Sequence, residues 1–349
     1  MVLRERCAKF VALNVVALLL VAQASLITSA SAKVDCGPVV NKGNELARSV
    51  AIGTSPAGTG AFSLGSGLAA VASKATPIIA KVQPYAGPNT FVPLLESGEL
   101  EFGIINILDA YMAMTGTGTY KKAYPSLRVL TGGVFPFTGG IMVRDKSDIR
   151  QISDLKGKRL AWDFGGHAVI QALLNAALET GGIKPTDITQ VRLTTSNDGI
   201  RGVAEGKVDA TYASLGTGTN EEANAMEPVR FLSIPNSEAN GKILAKLGAS
   251  VVKAEAATGI RGDTNIIGYP LHLLTSTKVN ERTVMAVLKA WWDNHAELLT
   301  IHPLFKQFTK DVQAITNFTI PYHPGAVKFY KEAGVWTAKH DARTKEVCG

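Results

Sequence analysis

The run Gly53-Thr54-Ser55-Pro56-Ala57-Gly58-Thr59-Gly60 concentrates the residue types that grip small anions. An apolar stretch at 47–53 precedes it and an amphipathic one at 61–74 follows, so the spacing predicts strand, loop, helix. Gly58 and Gly60 let backbone come close to a ligand. The helix start offers unpaired N–H groups and a partial positive charge. Thr54, Ser55 and Thr59 add hydroxyls. No Gly-Lys-Ser/Thr follows, which excludes a Walker loop, and Ser63 holds the third-glycine position of a dinucleotide fingerprint. A Gly-rich turn with a Ser/Thr cap fits the same residues. A similar arrangement recurs at Trp162-Asp163-Phe164-Gly165-Gly166-His167, ahead of a helix expected over 168–180. Asp163 is read as an acceptor for an amino group or water, or as a helix cap. His167 is read as a donor to a carboxylate or as a surface histidine near a cap.

Other polar residues fall where strands should end. Tyr85 and Asn89 follow a strand at 77–83, and Asn106 closes one at 100–106. Tyr212, Ser214 and Thr217 come at or just after the end of a strand at 208–213. Phe135, Phe137 and Tyr269 fall in later extended runs, as cleft walls or as hinge core. Catalytic templates are missing: there is no Gly-x-Ser-x-Gly elbow, no HExxH and no CxxC. His295 and His302 are seven apart, with no third ligand at metal spacing. The expectation is a binding protein rather than an enzyme, without cofactor or metal. Arg261-Gly262-Asp263 and Asn317-Phe318-Thr319 are taken as chance matches.

These candidates need a scaffold that gathers strand ends. Strands alternate with helices through residue 114, then again from 159 to 235, which predicts parallel pairing and doubly wound α/β sheets. Residues 128–144 read as two strands around Gly132, Gly133, Pro136, Gly139 and Gly140, and 266–276 as a further strand. Helices are expected at 281–299, 302–308 and 325–332. The second α/β series sits inside the first. The expected organisation is lobe 1 from 33–142 plus 270–349, and lobe 2 from 143–269, joined by two crossover strands that serve as a hinge. Ligands in such sheets bind beyond the carboxyl ends of strands, here between the lobes.

Residues 1–32 carry a basic start (Arg4, Arg6, Lys9), an apolar run at 10–22 and an Ala30-Ser31-Ala32 ending. That pattern is a cleaved secretory signal peptide, which directs the protein to the periplasm, and its apolar run is short of the ~20 residues of a membrane span. The whole chain has a net charge of +7; the signal holds +2 of it, leaving about +5. The charge is spread out and no recognition motif accompanies it, so nucleic acid is not an expected partner. The mature chain keeps two cysteines, Cys36 and Cys348. In an oxidising compartment they are expected to pair, with free thiols as the alternative.

The loop Ile52-Gly53-Thr54 through Gly65, the run Leu94-Leu95-Glu96-Ser97-Gly98-Glu99-Leu100, the piece Asp154-Leu155-Lys156-Gly157-Lys158 and the ending Ile320-Pro321-Tyr322-His323-Pro324-Gly325-Ala326 resemble the TAXI subfamily of TRAP-transporter solute receptors. The resemblance spans roughly 48–335. It implies a type II periplasmic binding fold whose two lobes close over a solute. It further implies a monomer that hands a small carboxylate, such as a glutamate-like amino acid, a 2-oxo acid or a dicarboxylate, to a TRAP-type membrane permease. Carried over by position, the ligand-contacting role falls on Thr54, Ser55, Thr59 and Gly60, and on Gly165, Gly166 and His167. The chain departs from the subfamily where Gly58-Thr59-Gly60-Ala61-Phe62 stands in place of Gly-Gly-Thr and two tyrosines. The alternative is a sensor that presents its solute to a membrane histidine kinase.

Overall fold

The computed structural model describes residues 36–41 and 43–348; the expected signal peptide lies outside them. The first half alternates as the sequence suggests: β1 (Ser49–Thr54), α1 (Gly60–Ala75), β2 (Ile79–Pro84), α2 (Pro88–Ser97), β3 (Phe102–Asn106), α3 (Ile107–Thr115). A long strand β4 (Leu127–Arg144) leads to β5 (Arg159–Phe164), α4 (Val169–Thr180), β6 (Thr189–Leu193), α5 (Ser196–Ala204), β7 (Ala210–Ser214), α6 (Gly218–Met226) and β8 (Val229–Phe231). Then come α7 (Glu238–Ala245), β9 (Ser250–Lys253), β10 (Asn265–Ser276) and α8 (Glu281–Asp293). Among the described residues no helix is long and apolar enough to cross a membrane.

The strands form one hydrogen-bonded sheet in the order β2-β1-β3-β10-β4-β7-β5-β6, with β8 on β4 and β9 on β10. β1 runs parallel to β2 and β3, and β5 runs parallel to β6 and β7. β4 and β10 are antiparallel to each other, from Leu127↔Ser276 to Gly139↔Ile267, and each continues past the other's neighbours. β10 pairs with β9 at one end and β3 at the other, while β4 goes on to β7 and β8. Two apolar clusters result. One draws on 50–137 and 271–347, plus Val169; the other draws on 141–267. Tyr269, on β10, packs against both.

Local chemistry explains the elements that carry the site. Thr59 caps α1 by accepting from Phe62 N, Asn106 caps α3 through Asp109 N, and Thr217 caps α6 through Asn220 N. α5 begins with a capping box in which Thr195 accepts from Asp198 N and the Asp198 carboxylate accepts from Thr195 N. Gly65 lets α1 lie on β1, since a Cβ there would stand 2.5 Å from Thr54 Cγ2. Behind it, the fully buried Trp291 donates from Nε1 to Leu68 O at 2.9 Å and meets Phe102 edge-on.

Three expectations are corrected. Residues 127–144 form one strand, not two, because pairing with β10 carries the chain through its glycines and Pro136. The helix expected over 281–299 breaks at Asn294, giving α8 and a shorter helix, His295–Ile301. α7, β9 and a last helix, Ala338–Cys348, were not foreseen. That last helix ends in a disulfide between Cys348 and Cys36, with Cα atoms 5.3 Å apart.

Candidate functional site

A cavity opens where the carboxyl ends of β1, β3, β6 and β7 meet β10. It holds about 620 Å³ of empty space, its mouth included. Ser55, Thr59, Asn106, His167, Tyr212, Ser214, Thr217 and Tyr269, all candidates named from the sequence, line it together with Ser196 and Asn197, which were not. Thr59, Pro88, Asn106, His167, Ser196 and Thr217 are each at or beside the start of a different helix, α1 to α6. Six helix N-termini therefore converge, and each contributes partial positive charge. Apolar residues complete the wall, among them Ile104, Ile170, Ile200, Phe137 and Leu271. Among the described residues lining it there is no Asp, Glu, Lys or Arg.

Several of the side chains read as ligand contacts also bond within the protein. The hydroxyl of Thr59 donates to Pro56 O and accepts from Phe62 N. Asn106 is spent twice: Oδ1 accepts from Asp109 N at 2.8 Å and Nδ2 donates to Asp109 Oδ2 at 2.7 Å. Asp109 also accepts from Tyr120 Oη, and burial pushes its carboxyl up to about 7 against those hydrogen bonds. Thr217 is likewise a cap. What these residues offer the cavity is the oriented backbone behind them.

Other groups remain available. Tyr269 Oη accepts from Tyr212 Oη at 3.3 Å, beside Ser214 in the cavity wall. Burial pushes that phenol up to about 12, so it stays protonated. His167 has a buried Nδ1 without a partner, and burial holds its ring down at about 4, so it is neutral. Asn197 is 5% exposed; its Nδ2 donates to Ala57 O at 2.9 Å and its Oδ1 has no partner.

The remaining candidates lie off the cavity wall. Thr54 is buried beneath the loop, with Oγ1 donating to Ser55 O. Tyr85 packs on Phe91, and Asp163 pairs with Arg192 at 3.2 Å near the surface. Gly165 is exposed with nothing near its missing Cβ. Gly58, Gly60, Gly166 and Asn89 sit at close approaches. Gly58, at φ 86°, has its carbonyl accepting from Thr219 Oγ1 at 3.5 Å. A Cβ on Gly60 would stand 2.7 Å from the Phe137 ring, and one on Gly166 would stand 2.8 Å from Ala86 Cβ. Asn89 donates from its backbone to Gly166 O at 3.2 Å, and its Oδ1 accepts from Ala168 N at 3.1 Å. It thus caps the start of α4 from α2. Ser196 and Asn197 were missed because the sequence reading stopped at the helix start; a polar pair just beyond β6 was the available signal.

Residues 52–334 match the NMT1-like family, and the chain belongs to it. In fold it resembles PhnD1 from Prochlorococcus marinus (MIT 9301), solved in complex with methylphosphonate, at 12% identity over 83% of this chain and 99% of that one, with a TM-score of 0.52. A looser match is the alkanesulfonate-binding protein SsuA from Xanthomonas axonopodis pv. citri bound to MOPS, at 17% identity over 87% and 84% of the two chains, with a TM-score of 0.44. An ancestral arginine-binding protein bound to arginine matches at 17% over 76% and 100%, with a TM-score of 0.46. The architecture is a type II periplasmic binding fold.

Proposed function

We propose that this member of the NMT1-like family is an exported solute receptor that encloses a small organic anion and delivers it to a membrane permease. The observation that carries the reading is the convergence of six helix starts on one cavity without a charged side chain in its wall. An anion held there is bound by backbone N–H groups and hydroxyls and needs no arginine. The two apolar clusters act as lobes 33–142 plus 270–349 and 143–269, with β4 and β10 as the hinge. The bonds from Asn89 to Gly166 and Ala168, and from Asn197 to Ala57, then belong to the closed state. A ligand that touches both sides favours closure by its extra contacts.

The finer reading is a carboxylate ligand and a TRAP-type permease, in a periplasmic setting, as the subfamily resemblance implies. Thermal shift of the purified protein against amino acids, 2-oxo acids, dicarboxylates, hydroxy acids and aromatic acids tests the ligand. A concentration-dependent rise with a carboxylate is expected, because a ligand that binds the native state stabilises it by mass action. No rise with any anion refutes the anion reading. Loss of uptake of that ligand on deleting the gene is expected for a transport receptor; normal uptake with a lost transcriptional response would assign it to sensing.

A further inference from the structure

We infer that the solute is a monoanion with an apolar body and one neutral hydrogen-bond donor, not a zwitterion and not a dicarboxylate. The inference rests on the receptor reading above and narrows its ligand class. An α-ammonium group buried in a cleft needs a carboxylate beside it, because an unpaired buried charge is costly. The described lining supplies none. The carboxylates nearest in sequence are engaged elsewhere: Asp109 by Asn106 and Tyr120, Asp198 by Thr195, Asp163 by Arg192. A second carboxylate would face the apolar wall of Ile104, Ile170, Ile200 and Leu271, where it finds no polar partner.

Beside the unpartnered Nδ1 of His167, the lining supplies an oriented amide acceptor. Asn197 is almost fully buried, and the bond from Nδ2 to Ala57 O fixes which way its amide points. That leaves Oδ1 as an acceptor without a partner in the cavity wall. A buried acceptor left unmatched is penalised, so the ligand that fits brings an O–H or N–H to it. The bond that aims Oδ1 runs to the loop before α1. The donor requirement is therefore imposed on closure, when the Ala57 loop and α5 meet.

The test compares four carboxylates on a similar short skeleton by calorimetry: leucate, isocaproate, leucine as the zwitterion and hydroxyglutarate as the dicarboxylate. Leucate carries the neutral donor and isocaproate lacks it. Leucate is expected to bind about ten- to a hundredfold more tightly than isocaproate. Leucine and hydroxyglutarate are expected to bind at least about tenfold more weakly than leucate. In Asn197→Ala the leucate-to-isocaproate ratio is expected to fall toward one, whatever happens to overall affinity. Asn197→Asp, which keeps the side-chain shape, is expected to move preference toward leucine; melting curves of both variants show that they fold. Leucine or hydroxyglutarate binding more tightly than leucate overturns the inference, as does equal binding of leucate and isocaproate, or binding confined to some other class of anion. Each of those outcomes leaves the receptor reading standing. Failure of every anion in the wider panel overturns the receptor reading itself.

Discussion

On the receptor reading proposed above, replacing Gly166 by alanine tests cleft closure. Gly166 has an ordinary backbone angle, so alanine is not strained there. In the closed arrangement its new Cβ would stand 2.8 Å from Ala86 Cβ and 3.1 Å from Thr90 Cγ2. Carbon atoms prefer about 3.5–4.0 Å. Ala86 Cβ is fixed to its backbone and cannot swing away, so the two sides must part by several tenths of an ångström. The bonds from Asn89 to Gly166 O and Ala168 N lie beside this contact and would lengthen with it. Overpacking of this kind costs about 1–3 kcal/mol, which is roughly a five- to 150-fold loss of affinity. Titration calorimetry with the tightest anion of the panel measures it. If closure waits for ligand, as the proposed reading holds, the melting temperature without ligand should stay near wild type. Gly165→Ala is the control: that position is open, and its affinity should not change. Adding Ala86→Gly to Gly166→Ala removes the nearest collision and should restore most of the loss, as a double-mutant cycle would report. Wild-type affinity in Gly166→Ala would refute the argument, and so would equal losses in Gly165→Ala and Gly166→Ala.

Further outcomes follow from single residues. Tyr269→Phe removes a phenolic hydroxyl from the cavity wall and should weaken anion binding by about tenfold, with little change in melting temperature. His323 is buried, accepts from Gly325 N and bonds Val279 O, and burial holds it down at about 4. Its folded value lies below the unfolded ~6.5, so the stability it contributes is complete above about pH 6.5 and is lost as the pH falls toward 4. The loss approaches roughly 3 kcal/mol, and His323→Asn should flatten melting temperature against pH over that window. Asp109 has the opposite sign. Its folded value of about 7 is raised, so stability falls as the pH rises through 4 to 7, and Asp109→Asn should melt higher than wild type at pH 8. Breaking the Cys36–Cys348 bond by Cys36→Ser with Cys348→Ser should cost about 2–4 kcal/mol in chemical denaturation; an unchanged midpoint would show that the ends are held by packing alone.

The alternation of strand and helix was legible because apolar runs and helix starts leave strong local marks. Thr59 was visible as a loop hydroxyl or helix cap, and Asn106 and Thr217 as polar residues at strand ends. Their cap geometry was not, since whether an oxygen faces its own helix or a cleft is decided by dihedral angles. β4 was misread because glycine and proline argue locally against a strand, and only β10, more than 120 residues away in sequence, overrides them. Helix Ala338–Cys348 is polar on most sides, so its sequence carries little periodicity. Asn89 and Gly166 were selected as ligand contacts, and their placement is across the cleft from each other, a relation no local pattern encodes.

The second apolar cluster comes from one unbroken stretch, 141–267, while the first needs both 50–137 and 271–347. Synthesis from the N-terminus thus completes the inner unit before the outer one has its last strand. β1 to β3 must wait, with one sheet edge unpaired, until β10 arrives, and domains fold as units in the order their chain emerges. A chain stopped after residue 267 should hold a protease-resistant inner core on an unfolded N-terminal arm. Until β10 arrives, that arm is the segment most exposed to aggregation and to chaperones.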